Sequence, residues 1–177
     1  LIARLAAEGR SLPIAVNVSP RQFHQADFVQ RVKEILAATG AAPTLLTLEI
    51  TESLLVEHAS EAVARMTELA VLGLRFAIDD FGTGYSSLAY LKRLPLFELK
   101  IDRSFVQDIP HDPNDVALVE TILSMARHLH LEVVAEGVEN EAQFAFLRQQ
   151  GCERFQGYYF EHPLEIDDWI KQLPLAG

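Results

Sequence analysis

RFAIDDFGTGYSSL, residues 75–88, runs from an apolar segment into two adjacent acids and then a glycine-flanked turn. Phe76, Ala77 and Ile78 form a short apolar run that enters a turn signal at once, the pattern of a buried strand. Asp79 and Asp80 therefore stand at its carboxyl end. Gly82 and Gly84 tolerate backbone angles that other residues resist and leave the strand mouth open to a ligand. Neighbouring carboxylates repel, so both stay ionised at neutral pH only with a cation or a cluster of donors between them. Taken alone, the stretch equally describes a capped turn, with Asp80 or Ser86 starting the next helix; the flanking chain has to decide.

That chain repeats a strand followed by an amphipathic helix. Residues 1–8 carry the period of a helix end. Residues 14–18, apolar apart from Asn17, predict a first strand, and Pro20 opens a helix bearing Phe23, Phe28, Val32, Ile35 and Leu36, ended by Gly40. Residues 45–51 predict a second strand carrying Glu49, followed by Glu52 and a helix over 53–72 whose inner stripe is Val56, Val63, Met66, Leu69 and Ala70. Beyond the 75–88 stretch, a helix from Ser86 stops at Pro95, a fourth strand over 97–101 carries Lys100, and a connection over 102–109 leads to a helix reaching about His130. A fifth strand over 133–135 ends at Glu136, a helix spans 141–150, a sixth strand over 155–160 contains Gln156, and a last helix covers 166–173. Six such units in a row imply a parallel sheet covered by helices and wound in one hand. No GxGxxG follows a strand, so an α/β fold of the TIM-like (β/α) barrel type is predicted over a dinucleotide-binding half.

At 177 residues and 49% hydrophobic, the chain can bury one sizeable core, and one domain over 1–177 is expected. No apolar run approaches the ~18 residues of a membrane helix and no signal peptide opens the chain, so a cytoplasmic location without membrane contact is expected. A net charge of −10 argues against a nucleic-acid polymer as partner. It leaves room for a small phosphorylated ligand held through metal ions. The lone Cys152 can form neither an internal disulfide nor a Cys-based zinc site and reads as a buried thiol, and the six His show no ligand spacing.

Asn17, Glu49, the Asp79 and Asp80 pair, Lys100, Glu136 and Gln156 fall near the carboxyl ends of six different strands. That is the face on which βα barrels place their chemistry. One buried carboxylate is more often a paired core residue; so many on one rim point to a site. Oxygen donors without His or Cys select hard cations, so Mg²⁺ or Mn²⁺ is expected, with Ca²⁺ a non-productive substitute. Two ions shared by Asp79 and Asp80 can hold the attacking and leaving oxygens of a phosphodiester, which suggests phosphoryl hydrolysis.

The segments Asn17-Val18-Ser19, Glu49-Ile50-Thr51-Glu52, Asp79-Asp80-Phe81-Gly82-Thr83-Gly84, Lys100-Ile101-Asp102, Ala135-Glu136-Gly137-Val138-Glu139 and Gln156-Gly157-Tyr158 occur in that order. Together they resemble the EAL domain, from about Ile14 to Leu164. The resemblance implies hydrolysis of the bacterial second messenger cyclic di-GMP to linear pGpG on an eight-stranded barrel, of which this chain supplies the last six βα units. It implies Asn17, Glu49 and Asp79 as ligands of a first Mg²⁺ or Mn²⁺, and Asp79, Asp80 and Glu136 as ligands of a second. Lys100 then orients and polarises the attacking water, with its pKa lowered by burial beside cations, and Gln156 helps position water or ligand. Glu52 anchors the loop of Gly82 and Gly84, and Asp102 and Glu139 support the site from behind, Glu139 being equally well a helix N-terminal charge. A homodimer through the helices around the DDFG loop, with Tyr85, Leu88, Tyr90 and Leu91 as its apolar surface, is a further implication. So is fusion to an upstream sensor or cyclase-like GGDEF domain.

The family's Glu-Ala-Leu strand and its phosphate-binding Arg lie upstream of the position of Asn17 and do not occur in these residues. The expectation is an excerpt of a longer protein, impaired by itself and active in the complete domain. Two rivals stay open. One is an EAL-like receptor that binds the nucleotide or a protein without cleavage. The other is an aldolase or isomerase using Lys100 as a Schiff-base amine, against which the crowd of carboxylates speaks.

Overall fold

Among the described residues six strands lie parallel in one sheet in chain order: β1 (Ile14–Asn17), β2 (Leu46–Thr51), β3 (Arg75–Phe81), β4 (Glu98–Ile101), β5 (Glu132–Glu136) and β6 (Arg154–Gln156). Helices α1 (Ile2–Ala7), α2 (Pro20–Phe23), α3 (Phe28–Thr39), α4 (Ala59–Ala70), α5 (Arg103–Val106), α6 (Pro113–Leu129), α7 (Glu141–Gln149) and α8 (Ile166–Gln172) accompany them. The arrangement, a computed structural model describing residues 1–52, 54, 59–84 and 91–173, is a curled half-barrel of the TIM-like kind. The expected helix start at Ser53 with Val56, residues 86–90 of the helix expected over 86–94, and Tyr85, Leu88 and Tyr90 lie outside the described residues; Leu91, expected with them on an apolar surface, is buried in the core.

Register decides where each side chain points. Asn17 aligns with Glu49, Leu48 with Phe76, Ile50 with Ile78, Leu99 with Val133 and Glu136 with Gln156. Side chains alternate across a strand. Leu48, Ile50, Phe76, Ile78, Leu99 and Ile101 therefore share one face and are buried with Met66 and Leu69 of α4 and Val119, Ile122 and Leu123 of α6. The opposite face carries the buried polar residues Thr47, Glu49, Glu98 and Lys100. Toward the amino ends of the strands, Arg154 pairs with Glu98 at 3.0 Å and Glu132 at 3.6 Å. There the Arg75 guanidinium lies 4.2 Å from the centre of the Phe97 ring, with that of Arg154 at 5.7 Å. The carboxyl ends carry the candidate site.

The structure departs from the sequence reading in several places, among them the connection over 102–109, which contains α5. The single helix expected from Pro20 is two, because Phe23 and Phe28 stand five residues apart and a continuous helix would turn them roughly 140° away from each other. The break between α2 and α3 lets both rings pack, with centroids 5.2 Å apart. Ile35, expected in the buried stripe, is 60% exposed and borders an apolar groove of about 330 Å³ beside Val16 and Val32. The sixth strand stops at Gln156 rather than 160. Val138 donates to Gln156 O (3.1 Å) and Tyr159 donates to Val138 O (3.0 Å), and a Cβ on Gly157 would sit 2.1 Å from the Val138 carbonyl oxygen. Tyr158, Tyr159 and Phe160 are consequently exposed.

Cys152 is buried and unpaired in a disulfide, and burial pushes its thiol pKa up. Among the described residues no helix is long and apolar enough to cross a membrane. Phe76→Ala should lower the unfolding free energy by about 3–5 kcal/mol through the cavity it leaves, whereas Ile35→Ala should change it by no more than about 0.5 kcal/mol. Urea titration of both variants checks the contrast.

Candidate functional site

Five strand ends deliver the polar cluster. Asn17 closes β1, Glu49 lies in β2, Asp79 and Asp80 near the end of β3, Lys100 in β4, and Glu136 closes β5. The Lys100 ammonium lies 3.1 Å from Glu49 Oε1, 3.0 Å from Asp79 Oδ1 and 2.7 Å from Glu136 Oε1. These side chains are 5% (Lys100), 10%, 14% and 15% exposed, so the ion pairs are shielded from solvent. The Asn17 amide, turned with its nitrogen toward the acids, donates to Asp79 Oδ2 at 3.2 Å and Glu49 Oε2 at 3.3 Å. Lys100 and Asn17 thus tie the same two carboxylates from opposite sides.

Adjacent strand residues normally face opposite ways, and Asp79 and Asp80 escape this rule through the backbone. The pairing of β3 with β4 shifts between Ile78 and Phe81, and Asp80 adopts a φ of 53°, in the left-handed region where short polar residues are enriched. This irregularity re-aims a side chain in the manner of a bulge. Carboxylate oxygens of Asp79, Asp80 and Glu136 all lie within 4.8 Å of one another. Oxygens sharing one divalent cation at bond lengths of about 2.0–2.6 Å are separated by at most about 4–5 Å, so the spacing and the all-oxygen donor set fit such an ion. Nothing in the sequence pattern signals the irregularity except the unusual doubling of the acid.

Behind β3, the buried Glu52 accepts from the backbone N–H of Gly82 at 3.1 Å and of Gly84 at 3.2 Å through a single carboxylate oxygen, Oε2. The two glycines serve different needs. Gly82 has a φ of 102°, whereas a Cβ on Gly84 would lie 2.9 Å from the Glu52 carboxyl carbon. Gly84 therefore makes room for Glu52 rather than for a ligand. Asp102 caps α5, accepting from Ser104 N at 2.9 Å, and its carboxylate lies beside that of Asp80.

Charge follows this geometry. Burial, the Asp79 charge and the contact with Asp102 push the Asp80 pKa up. Burial pushes that of Glu136 up despite the attraction of Lys100. Burial also raises Asp102, but its bonds with Ser104 more than offset this and hold it low. For Lys100, burial pulls downward and is outweighed by the bonds to Glu136 and Asp79 and the charge of Glu49, so its pKa lies above the usual lysine value. The neighbours that dominate here are anions, whereas the lowered pKa is expected beside bound cations. A permanently charged ammonium is a poor Schiff-base nucleophile, which removes support from the aldolase or isomerase reading.

A cavity of about 570 Å³ opens from Asp80, Asp102 and Glu136 past Glu139, Gln156 and Gly157. Gln156 and Glu139 are thus wall residues, and Glu139 donates its backbone N–H to Gln143 Oε1 at 2.7 Å at the start of α7. Sequence reasoning missed Arg103, Tyr158, His162 and Trp169 on the same wall. The ring centroids of Tyr158 and His162 lie 4.4 Å apart; Arg103 and Tyr158 directly follow the motifs KID and QG, whereas His162 and Trp169 adjoin neither. A wider hollow of about 710 Å³ on α6, lined by Lys92, Glu120, Ser124 and His128, lies away from these acids.

The EAL domain family model matches residues 1–163. The cyclic di-GMP phosphodiesterase NbdA of Pseudomonas aeruginosa is 47% identical over 155 residues, which is 88% of this chain and 20% of NbdA. The structure of the PaMucR phosphodiesterase in complex with c-di-GMP superposes with a TM-score of 0.89 at 43% identity, over 94% of this chain and 68% of that one. The EAL domain of Mycobacterium smegmatis DcpA gives a TM-score of 0.91 at 38% identity, over 99% of this chain and 78% of that one. The chain therefore spans about a fifth of the length of NbdA.

Removing the Glu52 carboxylate leaves two backbone donors without that acceptor. Glu52→Ala should cost about 1–3 kcal/mol of stability, and Glu52→Gln, which keeps one oxygen acceptor, should cost less. Hydrogen exchange at the Gly82 and Gly84 amides should accelerate in the same order.

Proposed function

Because the chain belongs to the EAL domain family, we propose that the protein, at its full natural length, hydrolyses cyclic di-GMP to linear pGpG with two divalent ions, Mg²⁺ or Mn²⁺. The observation that carries this reading is the convergence of acids from separate strand ends on one shielded cluster. Asn17, Glu49 and Asp79 would hold one ion and Asp79, Asp80 and Glu136 the other. When bound, such ions lower the pKa of a water and neutralise charge on the phosphodiester oxygens; Ca²⁺, with its looser coordination, substitutes without turnover.

The chain's own residues supply placement. Lys100 directs an N–H toward the attacking water, and Gln156 on the cavity wall orients water or ligand beside Glu136. Glu52 fixes the turn that carries Gly82 and Gly84 and so the position of Asp80, while Asp102 braces Asp80 from β4. Glu139 lines the cavity at the entrance to α7. The domain would serve as one module of a larger cytoplasmic protein, a homodimer fused to a sensor or GGDEF cyclase-like domain; that the match covers only 20% of NbdA supports the modular part of this reading.

The full-length protein, incubated with cyclic di-GMP and Mn²⁺ or Mg²⁺, should release pGpG. Asp79→Asn and Glu49→Gln should each lower kcat by about 10²-fold or more without unfolding the protein by circular dichroism. Absence of pGpG from the wild type would refute the hydrolase, and tight nucleotide binding in that same sample would make it a receptor.

A further inference from the structure

We propose that Lys100 has a second task, as the built-in counterion of the acid cluster: it holds Glu49, Asp79 and Glu136 together until a divalent cation takes over their oxygens. The proposal rests on the metal-dependent reading above and adds a role for Lys100 that precedes chemistry. A lysine ammonium has three N–H donors and no acceptor. Here three carboxylates from three strands surround it, at 3.1, 3.0 and 2.7 Å. In this arrangement the ammonium is engaged with carboxylates rather than with a water. The residue that orients the water and the residue that pairs with the acids are one side chain in two positions.

Two of the same carboxylates serve both partners. Asp79 Oδ1 and Glu136 Oε1 face Lys100, and Asp79 and Glu136 also belong to the acidic group spaced for a cation. Carboxylates so shielded and so close repel strongly without a positive partner. Asn17 holds the remaining oxygens, Asp79 Oδ2 and Glu49 Oε2, so these two carboxylates keep their orientation when the ammonium withdraws on its flexible four-carbon stem. Arrival of a cation therefore costs the loss of Lys100's ion pairs. Lys100 lowers metal affinity in exchange for an ordered site and, once displaced, has donors free for a water.

Two measurements on the full-length protein test this. In chelator-treated protein the ¹H–¹⁵N signal of the Lys100 ammonium, assigned by its loss in Lys100→Arg, should be protected from exchange with water. Saturating Mg²⁺ should shift it and speed its exchange. By calorimetry at pH 8, Lys100→Met should bind Mn²⁺ about tenfold more tightly than wild type, because a nearby positive charge is gone, and Lys100→Arg should stay near the wild-type affinity. A lysine that merely stiffened the site would make Lys100→Met bind Mn²⁺ more weakly. An unmoved ammonium signal at Mg²⁺ saturation, or equal or weaker Mn²⁺ binding by Lys100→Met, overturns the proposal while leaving the metal site standing. No Mg²⁺ or Mn²⁺ binding by the wild type overturns both. If Lys100→Met does not fold, the ammonium signal decides alone.

Discussion

One ammonium held by three carboxylates is the constraint around which this half-barrel is built. Glu49, Asp79 and Glu136 come from β2, β3 and β5, and Lys100 stands between them on β4. Gathering four charges in a shielded place stabilises a fold poorly, because desolvation consumes most of the Coulomb attraction. The apolar layer on the other side of the sheet has to carry that cost. Phe76, Ile78, Leu99 and Ile101 are fully buried there, on the same strands that bear the charges. Alternation along a strand makes both layers from one segment, so neither can be changed in register without the other.

The backbone around Asp79 and Asp80 shows how far local geometry serves this cluster. A regular β3 would send one of the two acids into the apolar layer. The shifted pairing and the left-handed Asp80 keep both at the rim, and Glu52 secures the turn that follows. Asp102, just past the end of β4, lies beside Asp80. Site and scaffold are therefore continuous at this corner.

Much of this was legible in the sequence because the strands announce themselves twice, by an apolar run and by a polar residue near its end. Asn17, Glu49, Lys100 and Glu136 could be placed on one rim from that alone, and the EAL motifs made the family evident. What was not legible depends on contacts between distant segments. The break between α2 and α3 follows from the packing of Phe23 on Phe28, which a periodicity over one helix does not contain. The end of β6 follows from the approach of Val138 to Gly157. The upward shift of Lys100 follows from which neighbours lie nearest, and a pattern of strands does not fix distances.

At the other end of the inner layer, Arg154 joins Glu98 and Glu132 while Arg75 covers Phe97. This bolt shares no residue with the acid cluster. Selection can then act on the two ends separately, with the bolt preserving the shape of the sheet while loops above the rim diverge in length and composition. A lineage could acquire new regulation, or lose catalysis altogether, and still inherit the same scaffold.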